Sequence, residues 1–266
     1  RTESPFHEYF KEAARECDIP INDDFNGATQ EGAGVYQVTQ KHGERWSSAR
    51  AYLLPHLESR PNLTVETKTQ VLRILFDGKR ATGLEIKQRG KIRTLHARKE
   101  VILCAGAFQS PQLLLLSGVG DQGELARHDI PLVQHLPGVG KNLQDHLEVY
   151  VQWACKKPVS LYPMLNPLRA PKIGFDWLFR RKGTGASNHF EAGGFIRSND
   201  EVKYPNLQFH FLPIAIRYDG SAPNEGHGFQ LHVGPVSSDV RGEINIKSAN
   251  PEEYPSLKFN YLSTER

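Results

Sequence analysis

Along the first eighteen residues the apolar positions Phe6, Tyr9, Phe10, Ala13 and Ala14 recur at helical spacing. This predicts an amphipathic helix over residues 4–18 with those five on its buried face. Ser4 supplies an N-cap, and Pro5 suits the first helical position, where a missing N–H is not needed. The pattern then lapses: "NDDFNGATQEGAG" carries the turn signal Asn26-Gly27 and further glycines, and predicts irregular chain. A short helix is predicted over residues 47–54, ending before Pro55.

From residue 62 the period changes to two. "NLTVET" is a short strand candidate, "QVLRILFDGKRATGLEIK" reads as a hairpin folded at Asp77-Gly78, and "KIRTLHA" returns toward "EVILCAG". In "EVILCAGAFQSPQLLLLSGVG" the apolar run 101–103 predicts a strand buried on both faces, followed by a leucine-rich helix starting at Ser110-Pro111. Ala105, Gly106 and Ala107 leave a side-chain-poor corner between the two. A ligand could approach the backbone there and meet the unpaired N–H groups and positive dipole end of the helix. A tight packing corner without a ligand accounts equally well for the same residues.

"LPGVGKNLQDH" (136–146) predicts a glycine-punctuated loop. Beyond it the β-like runs "LEVYVQWACK", "PNLQFHFLP", "GFQLHVGPV" and "GEINIKS" lie between proline- and glycine-rich connections and predict a mainly antiparallel sheet, with one helix in "IGFDWLFRRKGTG". The chain thus reads as helix and loops over 1–54, an α/β segment over 55–146 and an antiparallel segment over 147–266: α/β in its first part, α+β overall.

Composition narrows the function. The 266 residues are 38% hydrophobic and 24% charged, enough for one large or two smaller domains. Lys and Arg exceed Asp and Glu only by 33 to 30, with the signs interspersed, which argues against the concentrated basic face that nucleic acid requires. The densest basic run, "KQRGKIRTLHARKE", reads as a solvated hairpin. Cys17, Cys104 and Cys155 form no C-x-x-C pair, so reduced thiols in a cytoplasmic compartment are expected, and no metal site. His189, His210, His227 and His232 lack zinc-site spacing, and His210 and His232 read as structural histidines within strands. No signal peptide or membrane-spanning run is visible. The start at Arg1, already within a helix, reads as a piece of a longer protein.

"GAFQSPQLLLLSGVG" (106–120) resembles the second signature of the glucose–methanol–choline (GMC) oxidoreductases, a family of flavoenzymes. "DDFNGATQEGAG", "GERWSSARAYL", "RPNLTVET", "ILFDGKRATGLE", "LPGVGKNLQDH" and "NYLSTE" resemble further family blocks in the expected order, so the resemblance covers essentially the whole chain. "ACKKPVSLYPML", "GASNHFEAGGFIRS", "HFLPIAI" and "HGFQLHVGPV" are similar to the choline-oxidising members.

The resemblance implies part of an FAD-binding, dinucleotide-type domain and a substrate domain on an antiparallel sheet. The two are interleaved, so that residues 1–54 belong partly with the substrate domain. It implies oxidation of choline to betaine aldehyde by hydride transfer to FAD, with electrons passing to a respiratory acceptor and peripheral attachment to the inner membrane open. Residue by residue, Val71 matches a valine whose backbone faces the adenine, and Cys104, Ala105 and Gly106 match the small-residue corner against the dinucleotide. Asn142 and His146 match a block that shapes the site and its loop. Glu191, after Phe190, matches a glutamate serving the substrate's fixed positive charge, which needs a carboxylate and aromatic faces.

Two departures stand out. The fingerprint G-x-G-x-x-G that opens the family after its first strand has no counterpart here. The family's catalytic histidine, with its His or Asn partner, lies beyond the end of this chain, so no catalytic residue is expected in it and the 266 residues alone should be inactive. A sister enzyme for another alcohol and a non-catalytic module on the same scaffold are the alternatives.

Overall fold

The computed structural model describes residues 4–221 and 226–264. The start of the 1–54 segment and the end of the "NYLSTE" block lie outside the described residues. Elements are numbered along the chain, which divides into two compact units: Arg1–Leu63 with His146–Ser237, and Thr64–Asp145 with Ser238–Arg266.

In the first unit, Ser4 Oγ accepts the Phe6 N–H at 3.3 Å and starts α1 (Pro5–Glu16). Phe6 and Ala14 are buried and Phe10 is half-buried, whereas Tyr9 and Ala13 are exposed. The buried stripe is narrower than predicted because one i, i+4, i+8 line meets the sheet. That sheet is antiparallel throughout, in the order β1 (Gly32–Val35), β11 (Ala192–Ile196), β12 (Leu207–Leu212), β13 (Gly228–Pro235), β10 (Val149–Ala154). Phe6 packs on Ala192 and Phe211, with Phe10, Phe229 and Leu231 around them. Side-chain alternation sends Gln208, His210, Gln230 and His232 to the opposite face.

β1 and β11 were not expected as strands, because "GAGV" and "AGGFI" carry glycines that normally weaken a ladder. Backbone here lies directly against backbone: a Cβ at Gly34 would overlap the Asn22 carbonyl. A ribbon of β2 (Gln40–Lys41) and β3 (Glu44–Arg45) follows β1. The helix expected before Pro55 is a π-helical turn, Ala49–Leu53, that runs through Pro55 in the 3₁₀ turn Leu54–His56. Proline is tolerated there because the first turn does not use its N–H. α4 (Ala170–Arg180) lies within "IGFDWLFRRKGTG" and its approach, and ends on Arg181 in the left-handed region, φ 53°.

The second unit begins with the meander β4 (Thr69–Asp77), β5 (Arg80–Gln88) and β6 (Lys91–His96), as the period-two pattern predicts. α2 (Gly106–Leu116) leads into β7 (Val119–Gly120), which pairs in parallel with β8 (Gln134–His135); α3 (Gln122–Ala126) lies between them. β9 (Lys141–Leu143), β14 (Gly242–Asn245) and β15 (Ser256–Lys258) form a small sheet, in the order β15-β14-β9. Leu115, Leu125 and Ile246 form a core cluster.

Four expectations change in this unit. Among the described residues "NLTVET" forms no ladder. The run 101–103 is extended but pairs with no described strand, and Ile102 is 75% exposed. Burial of a strand on both faces depends on neighbours that a local pattern does not specify. α2 starts one turn earlier than Ser110, at Gly106, with Pro111 inside it, while Ser110 Oγ accepts the Ala105 N–H at 3.1 Å. "GEINIKS", expected with the substrate segment, forms β14 beside β9, so residues 238–266 pack in the unit of 64–145. The fold is mixed α/β with mainly antiparallel sheets.

Candidate functional site

Each unit carries a cavity. That of the second unit, about 520 Å³, is lined by Val71, the extended run 101–105, Gln109 and Gln112, with Leu84, Leu113 and Leu116 among its apolar walls. The structure therefore brings together Val71, Cys104 and Ala105. Gly106 follows immediately with φ 82°, and a Cβ there would meet no atom within 4 Å, so the space before it is open. Asn142, with φ 62°, and His146 are exposed and line neither cavity.

The letters of the phosphate-binding fingerprint do occur, at Gly118-Val119-Gly120-Asp121-Gln122-Gly123. Their geometry serves packing instead. A Cβ at Gly118 would overlap the Pro131 carbonyl and one at Gly120 the Leu115 side chain, so both glycines abut their own chain. The N-terminus of α3 is already capped by the Asp121 carboxylate, which accepts the Glu124 N–H at 2.9 Å and would repel an anion.

The first unit's cavity, about 1000 Å³, lies on the sheet face opposite α1. Gln208, His210 and Phe195 come from the sheet; Tyr36, Glu44 and Trp177 contribute from β1's exit, the ribbon and α4; and Phe190 and Glu148 complete the wall. Burial pushes the Tyr36 phenol up to about 12, and its hydroxyl donates to the Phe209 carbonyl at 2.5 Å. Glu44 is ion-paired with Arg50 and with Arg181. Glu148 Oε1 lies 2.7 Å from His232 Nδ1 and accepts the Tyr218 hydroxyl at 3.1 Å. Loss of solvent and then that bond to a carboxylate raise the Tyr218 phenol.

Glu191, expected at the substrate's charge, is 2% exposed and is not among the residues lining this cavity. Its Oε1 accepts the Ser187 hydroxyl at 2.9 Å, and its Oε2 lies 3.7 Å from His7 Nε2 on α1. The neighbouring Phe190 faces the cavity instead. His227 is structural, its Nδ1 accepting the Ser160 N–H at 3.1 Å. His210, read as structural, lines the cavity. The signal that could have found this wall is Gln208 and His210, polar residues at period two inside an apolar strand.

Burial lowers the proton affinity of His210, with Glu148 opposing it, and of His189, with Glu191 opposing it. Both rings bind protons less readily folded than unfolded. Their contribution to stability is therefore full above the ordinary histidine value of about 6.5 and declines as pH falls through the lowered folded values. The urea midpoint of the complete protein should drop as pH falls below the ordinary histidine value of about 6.5. His210→Gln should flatten part of that drop; an unaltered slope would remove His210 from the account.

A family model described as GMC oxidoreductase matches residues 1–148 of the 266, and the chain belongs to this family. Over 262 residues it is 53% identical to the oxygen-dependent choline dehydrogenase of Staphylococcus aureus strain MSSA476, covering 98% of this chain and 46% of that protein. The protein of that name from strain JH9 matches at the same identity and coverage. The chain thus spans about half the length of these curated relatives. Among solved structures it is similar to formate oxidase, with TM-score 0.88 at 23% identity over 98% of this chain and 50% of that one. Pyridoxine 4-oxidase from Mesorbium loti matches with TM-score 0.82 at 25% identity, over 99% and 48%. Among the described residues, no helix is long and apolar enough to cross a membrane.

Proposed function

We propose that this chain is part of an FAD-dependent enzyme that oxidises choline to betaine aldehyde. The observation that carries the reading is 53% identity, along 98% of the chain, to a relative named as a choline dehydrogenase. The cofactor fits the residues present. The second unit's cavity combines apolar walls at Val71 and Leu103, the side-chain-poor stretch Cys104-Ala105-Gly106 and the exposed first turn of an eleven-residue helix, which suits the adenosine end of a dinucleotide. When bound, FAD accepts the hydride that leaves the alcohol carbon, while the hydroxyl proton goes to a base. This chain's contribution is to hold the cofactor at Val71 and Cys104–Gly106 and to wall the substrate. We further infer that the electrons pass on to a respiratory acceptor and that the enzyme works in the cytoplasm.

The test uses the complete gene product, purified with its flavin and kept free of oxygen. Choline should bleach the oxidised-flavin absorbance, and the uncharged isostere 3,3-dimethylbutan-1-ol should do so far less. Bleaching by another alcohol but not by choline would keep the family and overturn the substrate.

A further inference from the structure

We propose that the outward side of α4 is a docking surface for an anionic lipid bilayer, with its aromatic and aliphatic side chains in the headgroup layer and its cations on the lipid phosphates. The proposal goes beyond the choline reading and does not depend on which alcohol is oxidised.

α4 is fixed to its own unit by one side. Ile173 and Trp177, four residues apart, are half-buried, and Trp177 Nε1 donates to the Gly43 carbonyl at 2.9 Å. A Cβ at Gly185 would lie 3.1 Å from Trp177 and 3.3 Å from Ile173, so the chain passes close against this side. Pro171, Phe175, Leu178 and Phe179, at i, i+4, i+7 and i+8, share the opposite side. Phe175, Leu178 and Phe179 are 52%, 56% and 73% exposed. A surface helix ordinarily turns one apolar stripe to the core and a polar face to water, whereas α4 carries apolar side chains inward and outward. The outer ones form a ridge: the Phe175 and Phe179 rings lie 4.7 Å apart, and the Arg180 guanidinium sits 5.9 Å from the Phe175 ring.

The charge around this ridge selects the partner. Residues 167–182 carry five cations, Arg169, Lys172, Arg180, Arg181 and Lys182, and one acid, Asp176. Asp176 is half-buried with its Oδ1 3.3 Å from Arg180, and Arg169, Lys172 and Lys182 are exposed. The core of a protein–protein interface is depleted in lysine. Exposed phenylalanines and leucine beside lysines and arginines are instead the composition of a helix that lies in a membrane surface, where burial of the apolar side chains and attraction to anionic headgroups act together. Eleven residues are too few to span a bilayer and enough to rest on one.

The experiment sediments the complete flavin-loaded protein with vesicles of phosphatidylcholine alone, and of phosphatidylcholine and phosphatidylglycerol in equal parts. The anionic vesicles should bind it at least about 10-fold more tightly than the neutral ones, and added salt should weaken that binding. Phe175→Ser with Phe179→Ser should weaken it at least about 10-fold. Lys172→Glu with Lys182→Glu should weaken it by a similar factor. Both variants should keep the wild-type flavin content, because none of the four side chains lines either cavity. If the serine variant fails to fold, the glutamate variant decides, since it leaves the apolar ridge intact. Absence of binding to the anionic vesicles, equal binding to the neutral ones, or variants that bind like wild type overturns the proposal. So does a dimer that ignores vesicles and that the serine variant splits on gel filtration, which would assign the face to a second copy of the chain. Vesicle binding is read without any alcohol, so its failure leaves the choline reading standing, and failure of that reading leaves the docking surface standing.

Discussion

Gly193→Val in the complete protein should cost about 3 kcal/mol or more of unfolding free energy. Gly193 sits in the middle of β11, opposite Gly34 on one side and His210 on the other. A Cβ there would overlap the Phe209 carbonyl and the ring and hydroxyl of Tyr36. Neither can yield. The carbonyl belongs to the neighbouring strand, and Tyr36 is anchored by hydrogen bonds to the carbonyls of Phe209 and Gly194 and by packing against Phe25 and Phe195. Gly174→Ala supplies the contrast, since a Cβ at that position of α4 meets no atom within 4 Å. It should stabilise by up to about 1 kcal/mol through helix propensity. Urea titration followed by tryptophan fluorescence reads both, because Trp153 stacks on Phe229 in the same sheet. Equal midpoints for Gly193→Val and wild type would show that the sheet can open at this point, and the argument would be lost.

The second large effect is expected at Glu124, a carboxylate 2% exposed beside the cluster of Leu115, Leu125 and Ile246. Its Oε1 accepts the Ile246 N–H at 3.0 Å, just past the end of β14, where the ladder no longer provides a partner. This bond ties the segment 238–266 to α3. Glu124→Ala would orphan a buried N–H and leave a void, and should destabilise the protein by roughly 3 kcal/mol. Glu124→Gln keeps an acceptor in place and should lose less than about 1 kcal/mol. Hydrogen exchange of the Ile246 amide should accelerate in Glu124→Ala and stay near wild type in Glu124→Gln. If alanine leaves both the exchange and the unfolding midpoint unchanged, Glu124 does not hold β14 in place.

What the sequence determined by itself was whatever local chemistry specifies. Ser4-Pro5 starts α1 because capping involves only neighbours. The alternation on either side of Asp77-Gly78 forms β4 and β5 because a hairpin's partner lies a turn away. The order of the family's blocks was equally legible, and the small corner Cys104-Ala105-Gly106 stands beside an open cavity as its lack of side chains suggests. Tertiary structure decided the rest, where the deciding atoms lie far apart along the chain. β1 and β11 exist because glycine backbones abut other backbones, and local propensity argues against both. Among the described residues the run 101–103 pairs with no strand, and β14 joins β9 across about a hundred residues, because strand partners are not encoded nearby. Glu191 and Glu148 look equally available in the sequence. Packing placed one beside His7 of α1, and the other beside His232 on the cavity wall.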